Sequence, residues 1–247
     1  MSFFKKIFGK SEPNKPGYAF TQRYPRVPLS PLHKISFRFV DSKTDRTLNL
    51  ANISVGGMAV VHGGDSSLLG IFQDGQPIQG FVEIDSKEVA IQARVRHVSK
   101  LLAGCEFTDQ SAALRKAVES YLRVEISALS LRPVDEMYLQ ADPRGQVSWF
   151  TDGKQNEVYC VTDDKGLAAF HMTFLGNYIE GSRGKPLSGG LVNEDEGGSD
   201  RQKGSSLLEM NSFFKPEMAN LALTFIQNVE RMSPETRKEI EKYIHDA

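Results

Sequence analysis

The chain has 247 residues, 40% of them hydrophobic and 25% charged, an ordinary make-up for one large or two small folded domains. A formal net charge of −1 gives no reason to expect DNA or RNA as a general partner, and two cysteines in this length exclude a disulfide framework. The charge is unevenly spread, with 17 Lys/Arg against 12 Asp/Glu in residues 1–130 and 13 against 19 in residues 131–247, so the first half suits an anionic ligand.

Residues 1–10 set Phe3, Phe4, Ile7 and Phe8 among Lys5, Lys6 and Lys10. The segment has no long apolar core or small-residue cleavage site, so it is not a secretion signal. At helical spacing its charge and aromatics allow a weak peripheral membrane contact or docking on a partner, beside the plainer reading of a lightly packed terminus. Pro13, Pro16 and Gly17 mark a linker, which sets residues 1–19 apart from the rest of the chain. No run approaches the ~18–20 apolar residues that span a bilayer, and a cytoplasmic protein is the expectation.

Next comes Gln22-Arg23-Tyr24-Pro25-Arg26, two guanidinium groups on a Pro-bearing connector ahead of a strand-like run. Arginine forks suit planar, bidentate acceptors such as phosphate or the O6/N7 edge of guanine. Strand patterns then dominate: the alternation of Ile35, Phe37 and Phe39, residues 47–51, 58–61, 80–84, 89–98 and 101–107. Between the second and third lies Asn52-Ile53-Ser54-Val55-Gly56-Gly57, a turn with an amide, a hydroxyl and two glycines. Asn and Ser offer short hydrogen bonds to a base edge, and glycines at positive φ let backbone approach a ligand closely. Leu114, Val118, Tyr121 and Leu122 place a helix over about 110–124.

Residues 131–182 read as a second β module, with strand-like runs at 137–140, 147–150, 157–161 and 167–175 separated by Asp-Pro, Asp-Gly and Asp-Asp-Lys-Gly turns. Residues 183–208, rich in glycine and serine with acids at 194–196, read as a flexible linker. Residues 209–247 read as two amphipathic helices, one opened by Pro216 and one capped by Ser233-Pro234. Their stripes could pack on the β module, self-associate or bind a partner.

The two clusters and their frame resemble the PilZ domain, the bacterial receptor for cyclic di-GMP, over residues about 20–125, within a first domain expected at 20–127. Its signature is Arg-x-x-x-Arg followed by Asp/Asn-x-Ser-x-x-Gly. Asn52, Ser54 and Gly57 match the second half; in the first half, with Arg26 as the second arginine, the first position holds Gln22, and Arg23 sits one place along. Arg94-Val95-Arg96-His97-Val98 and Gly104-Cys105-Glu106-Phe107, then a helix, continue the likeness. The resemblance implies a six-stranded antiparallel barrel with a following helix; together with the second β-rich module and the C-terminal helices read from the residues above, the expected fold is mainly β. The resemblance also implies a ligand site at Gln22, Arg23, Arg26, Asn52, Ser54, Gly56 and Gly57, with arginines on phosphate and the guanine Hoogsteen edge and Asn52 and Ser54 on a second guanine.

The implied function is a non-catalytic cyclic di-GMP effector that changes conformation on binding and signals to a protein partner. The alternative, favoured by Gln22, is a degenerate domain that acts as an adaptor between proteins without nucleotide. No cofactor is expected beside the signalling ligand. His97, Cys105, Cys160 and His171 lack metal-ligand spacing, Gly63-Gly64-Asp65 reads as a turn, and no Ser/His/Asp nucleophile pattern or Walker-type loop is present, so neither a metal nor catalysis is expected.

Overall fold

A computed structural model describes residues 24–41, 44–109, 111–193, 207–211 and 216–246. The expectations for residues 1–10, for Gln22 and Arg23, and for residues 194–206 lie outside them.

The first body is a closed barrel. Its strands are β1 (Val27–Pro28), β2 (Ile35–Asp41), β3 (Thr44–Ser54), β4 (Gly57–Val61), β5 (Pro77–Ile84), β6 (Lys87–Val98) and β7 (Leu102–Phe107). Antiparallel pairing runs β3-β2-β5-β6-β7-β4 and closes through β3–β4, which leaves no free edge among these six. β1 adds to the outer end of β3, with Val27 opposite Ile53 and Pro28 opposite Asn52. The period-2 pattern explains the fill: in β6, Ile91, Ala93 and Val95 point inward while Gln92, Arg94 and Arg96 face solvent. Between β4 and β5 a short helix, α1 (Ser66–Leu69), is capped by Asp65, whose side chain accepts from the Ser67 N–H. Gly63 and Gly64, at φ 62° and 81°, make the turn before it.

The helix expected over 110–124 is two helices in near-continuous file, α2 (Ala112–Tyr121) and α3 (Arg123–Leu129). Ser111 caps α2 by accepting from the Leu114 N–H, and Leu114, Val118 and Leu122 bury themselves in the barrel core. Leu122 breaks the regular helical geometry between α2 and α3 at φ −103°, ψ 26°.

That second body is a seven-stranded antiparallel meander: β8 (Arg132–Pro133), β9 (Gln146–Thr151), β10 (Glu157–Asp163), β11 (Gly166–Phe174), β12 (Asn177–Ser182), β13 (Ser188–Asn193) and β14 (Leu207–Asn211). Two expectations need correction. Residues 137–140 are not a strand: Asp135 accepts from the Met137 N–H and caps a 3-10 turn, Glu136–Tyr138, that leaves Met137 and Tyr138 exposed. And the sheet continues past residue 182 into the stretch expected to be linker, because Ser188-Gly189-Gly190-Leu191 pairs with β12 through its backbone, where missing side chains are no obstacle.

One face of the meander is covered by α4 (Pro216–Gln227) and α5 (Pro234–His245). Of the outcomes open for these helices, packing on the β module is the observed one. Phe225 lies 4.9 Å from Phe174 ring to ring, Tyr243 meets Phe170 edge-on at 5.8 Å, and Ile240 and Ile244 complete the core. Glu239 accepts the Leu167 N–H at 2.6 Å and fixes α5 to the start of β11. No helix among the described residues is long and apolar enough to cross a membrane.

Helix α3 belongs to both bodies. Leu129 and Ile126 pack into the barrel core, whereas Ala128 and Val124 pack into the core of the meander, continued by Leu131. Between these stripes Glu125 is buried and meets His33 Nε2 at 3.3 Å. His33 Nδ1 accepts the Ser30 N–H at 2.9 Å, so the ring proton sits on Nε2 and is donated to the carboxylate.

Candidate functional site at the β3–β4 bend

β3 ends at Ser54 and β4 begins at Gly57, so Asn52–Gly57 is a tight bend at the mouth of the barrel. A register shift between Leu50 and Asn52 kinks β3 just before it. β1 lies alongside, and its pairing with β3 carries Arg26, one residue before Val27, to the bend. The Arg26 guanidinium is exposed and its Nη1 lies 3.5 Å from Asn52 Oδ1, a long contact that holds the two side chains together weakly.

Ser54 is 4% exposed. Its hydroxyl accepts the Gly56 N–H at 3.2 Å and donates to the Gly57 carbonyl at 3.3 Å. It therefore shapes the bend from within instead of projecting from it.

The glycines act through space and not through backbone handedness. The expected positive φ is absent: neither Gly56 nor Gly57 lies in the left-handed region. At Gly57, a Cβ would stand 2.4 Å from the carbonyl oxygen of Cys105 on β7, the strand that β4 pairs with. At Gly56, a Cβ would stand 3.2 Å from the Tyr24 ring. Only glycine lets β4 come so near β7, whereas at position 56 a side chain would have to push the Tyr24 ring aside.

Tyr24 and Arg115 are the residues that sequence reasoning missed. The Tyr24 ring, 41% exposed, sits over Gly56; Arg115 Nη2 from α2 donates to its hydroxyl at 3.2 Å, and the guanidinium carbon lies 5.5 Å from its ring centroid. Tyr24 stands inside the Gln22–Arg26 cluster, where its charged neighbours carry the stronger signal. Arg115 carries no local signal, being brought in by the helix that plugs the barrel.

Cys105 lies behind the bend. Burial pushes its thiol up to about 12, against which the nearby Arg26 charge pulls downward. The candidate site thus brings together Arg26, Arg115 through Tyr24, an amide at Asn52, an aromatic ring and close-approaching backbone, with Glu106 opposite Gly57 on β7. Such a set can hold an anion in its guanidinium forks and offer a flat ring for stacking. Among the described residues no group of three or more His, Cys, Asp or Glu could hold a metal ion.

Residues 21–123 match the family model described as PilZ domain. No curated protein matches the chain. Among solved structures, the chain is similar to a K. pneumonia MrkH–c-di-GMP complex at 17% identity and TM-score 0.36, over 41% of this chain and 51% of that one. It is also similar to the PilZ domain of CeSA from a cellulose synthesizing bacterium at 17% identity and TM-score 0.31, over 41% of this chain and 98% of that one. The match thus spans about half the length of the first of these chains.

Proposed function

We propose, from the premise that residues 21–123 are a PilZ domain, that this chain is a non-catalytic effector whose ligand is cyclic di-GMP. The observation that carries the reading is the meeting of Arg26 and Asn52 at a bend closed by Ser54 and Gly57, since these come from two sequence clusters about 25 residues apart. A cyclic dinucleotide brings two phosphates and two guanines. Arg26 would take a phosphate or a Hoogsteen edge in its fork, and Asn52 would bond a base edge lying on the bend.

Binding would be read out through the chain that bears the arginines. Arg26 is one residue from Val27, which is buried in the barrel core, and β1 lies against α3, which lies in turn against α4. A ligand that fixes residues 23–26 to the bend biases this packed series, by no more than its difference in affinity for the two states. A protein partner would read the altered meander and helices.

Calorimetric titration of cyclic di-GMP into the full chain tests the proposal. Saturable binding is expected, weakened roughly tenfold or more in Arg26→Ala and less in Arg23→Ala, because a charge-assisted hydrogen bond is worth about 1.5–3 kcal/mol. Absence of heat with a folded protein would instead support the adaptor reading. Gln22 favours that second reading, as does Tyr24, whose ring already rests on the bend.

A further inference from the structure

We infer that Arg115 is a ligand-binding residue, supplying from α2 the guanidinium that the loop lacks at Gln22, and that Tyr24 parks it at the site until a phosphate displaces the hydroxyl. The inference rests on the reading that the bend binds cyclic di-GMP.

Three observations bring Arg115 there. Its backbone belongs to α2, which is seated rigidly: the neighbouring Leu114 and Val118 are 1% and 0% exposed in the barrel core, and Ser111 caps the first turn. Its Nη2 donates to the Tyr24 hydroxyl at 3.2 Å. And Tyr24 is not a distant surface residue, since its ring is in contact with Gly56 at the crest of the bend. The ring therefore stands beside Gly56 and carries the guanidinium on its hydroxyl, from a residue 91 positions away along the chain.

The chemistry favours exchange. A phenol oxygen is a neutral acceptor; a phosphodiester carries charge and can take a guanidinium through two parallel hydrogen bonds, which makes it the stronger partner. Arg115 has a long, unbranched side chain on a fixed base, so the Nη2 that donates to the hydroxyl can donate to a phosphate instead without moving α2. With Arg26 on the β1 side and Arg115 on the α2 side, two guanidinium groups would flank the bend. The charge lost from the family pattern at Gln22 is restored from another element.

The test is titration of cyclic di-GMP into the full chain carrying Arg115→Ala, Arg115→Lys or Tyr24→Phe, with the heat-unfolding midpoint of each recorded. Arg115→Ala should bind at least about tenfold more weakly, and Arg115→Lys should fall between it and the unchanged protein. The alanine deficit should shrink as ionic strength rises from about 0.05 to about 0.5 M, because the lost interaction is between charges at a wet surface. Arg115→Ala should also lose more than Tyr24→Phe.

Equal, salt-insensitive losses in Arg115→Ala and Tyr24→Phe would show that Arg115 only positions the ring, and would overturn the inference. So would full affinity in Arg115→Ala beside a loss in Arg26→Ala, which leaves the proposed function standing. If Arg115→Ala is destabilised, Arg115→Lys decides: an affinity above alanine's with salt dependence matching the unchanged protein supports a charge contact, and loss as deep as alanine's opposes it. Absence of binding by the unchanged protein would remove both proposals together.

Discussion

At Gly57 the space for one methyl group decides whether two strands can close the barrel. A Cβ there would stand 2.4 Å from a backbone oxygen that belongs to β7 and cannot step aside. At Gly56 the obstacle is a half-exposed ring 3.2 Å away, which can swing. Gly57→Ala is therefore expected to cost about 1–3 kcal/mol in denaturant unfolding and to weaken ligand binding, and Gly56→Ala to cost clearly less. Equal costs at the two positions would contradict this account of the bend. Gln22→Arg is expected to tighten cyclic di-GMP binding in the same titration, and an unchanged or weaker affinity would show that a guanidinium at that position adds nothing here. The residue types of the bend are legible in the sequence, but their reasons are not. Ser54 and Gly57 read as ligand contacts; that the hydroxyl also closes the turn and the glycine makes room for the Cys105 carbonyl is visible only in the fold. Arg115 is illegible because nothing local links position 115 to position 24.

Among the elements, α3 carries the most consequence for its seven residues. Its buried carboxylate, Glu125, accepts from the His33 Nε2–H, and His33 in turn accepts from Ser30, so the loop between β1 and β2 is tied to the helix. Glu125→Ala would leave the imidazole N–H of His33 facing a gap in a half-buried setting. About 1–3 kcal/mol of stability is expected to be lost, measured by denaturant unfolding, with Glu125→Gln losing less because its amide oxygen still accepts. An alanine variant as stable as the unchanged protein would mean that the loop and helix are held by apolar packing alone. The barrel strands are readable because alternation marks them one by one, as in β6. The last strands of the meander are not, because β13 pairs through glycine backbone and offers too little side chain to show a period. Met137 and Tyr138 mislead in the opposite way, as apolar residues that stay exposed on a 3-10 turn.

At the scale of the whole molecule, two cores are joined by one helix, and each core holds one cysteine. Cys105 sits in the barrel and Cys160 in the meander, both free, and burial pushes each thiol up to about 12. A thiol so buried and so far from ionisation is a poor nucleophile. In native protein at neutral pH neither should react with a thiol reagent, and full denaturation should release both. Because Leu129 and Ala128 anchor α3 in different cores, unfolding of either body strips packing from the other. The two thiols should consequently become reactive along one denaturant curve, as mass spectrometry of the labelled peptides would show. Well-separated curves would mean that the bodies unfold independently and that α3 does not couple them. The division into two β bodies can be read from the sequence, since turn signals and composition mark it. Their union through alternate faces of α3 cannot, because a helix with two apolar stripes looks the same whichever bodies it joins.

The central claim is that a cyclic guanine dinucleotide binds on the Asn52–Gly57 bend. Amide resonances of the full chain, followed during titration with cyclic di-GMP, address it most directly. Saturable shifts that are largest at Tyr24, Arg26 and Ser54 to Gly57, with the meander strands β9 to β11 moving far less, are the predicted result. Spectra left unchanged by millimolar ligand, or shifts centred away from the bend, would contradict the account.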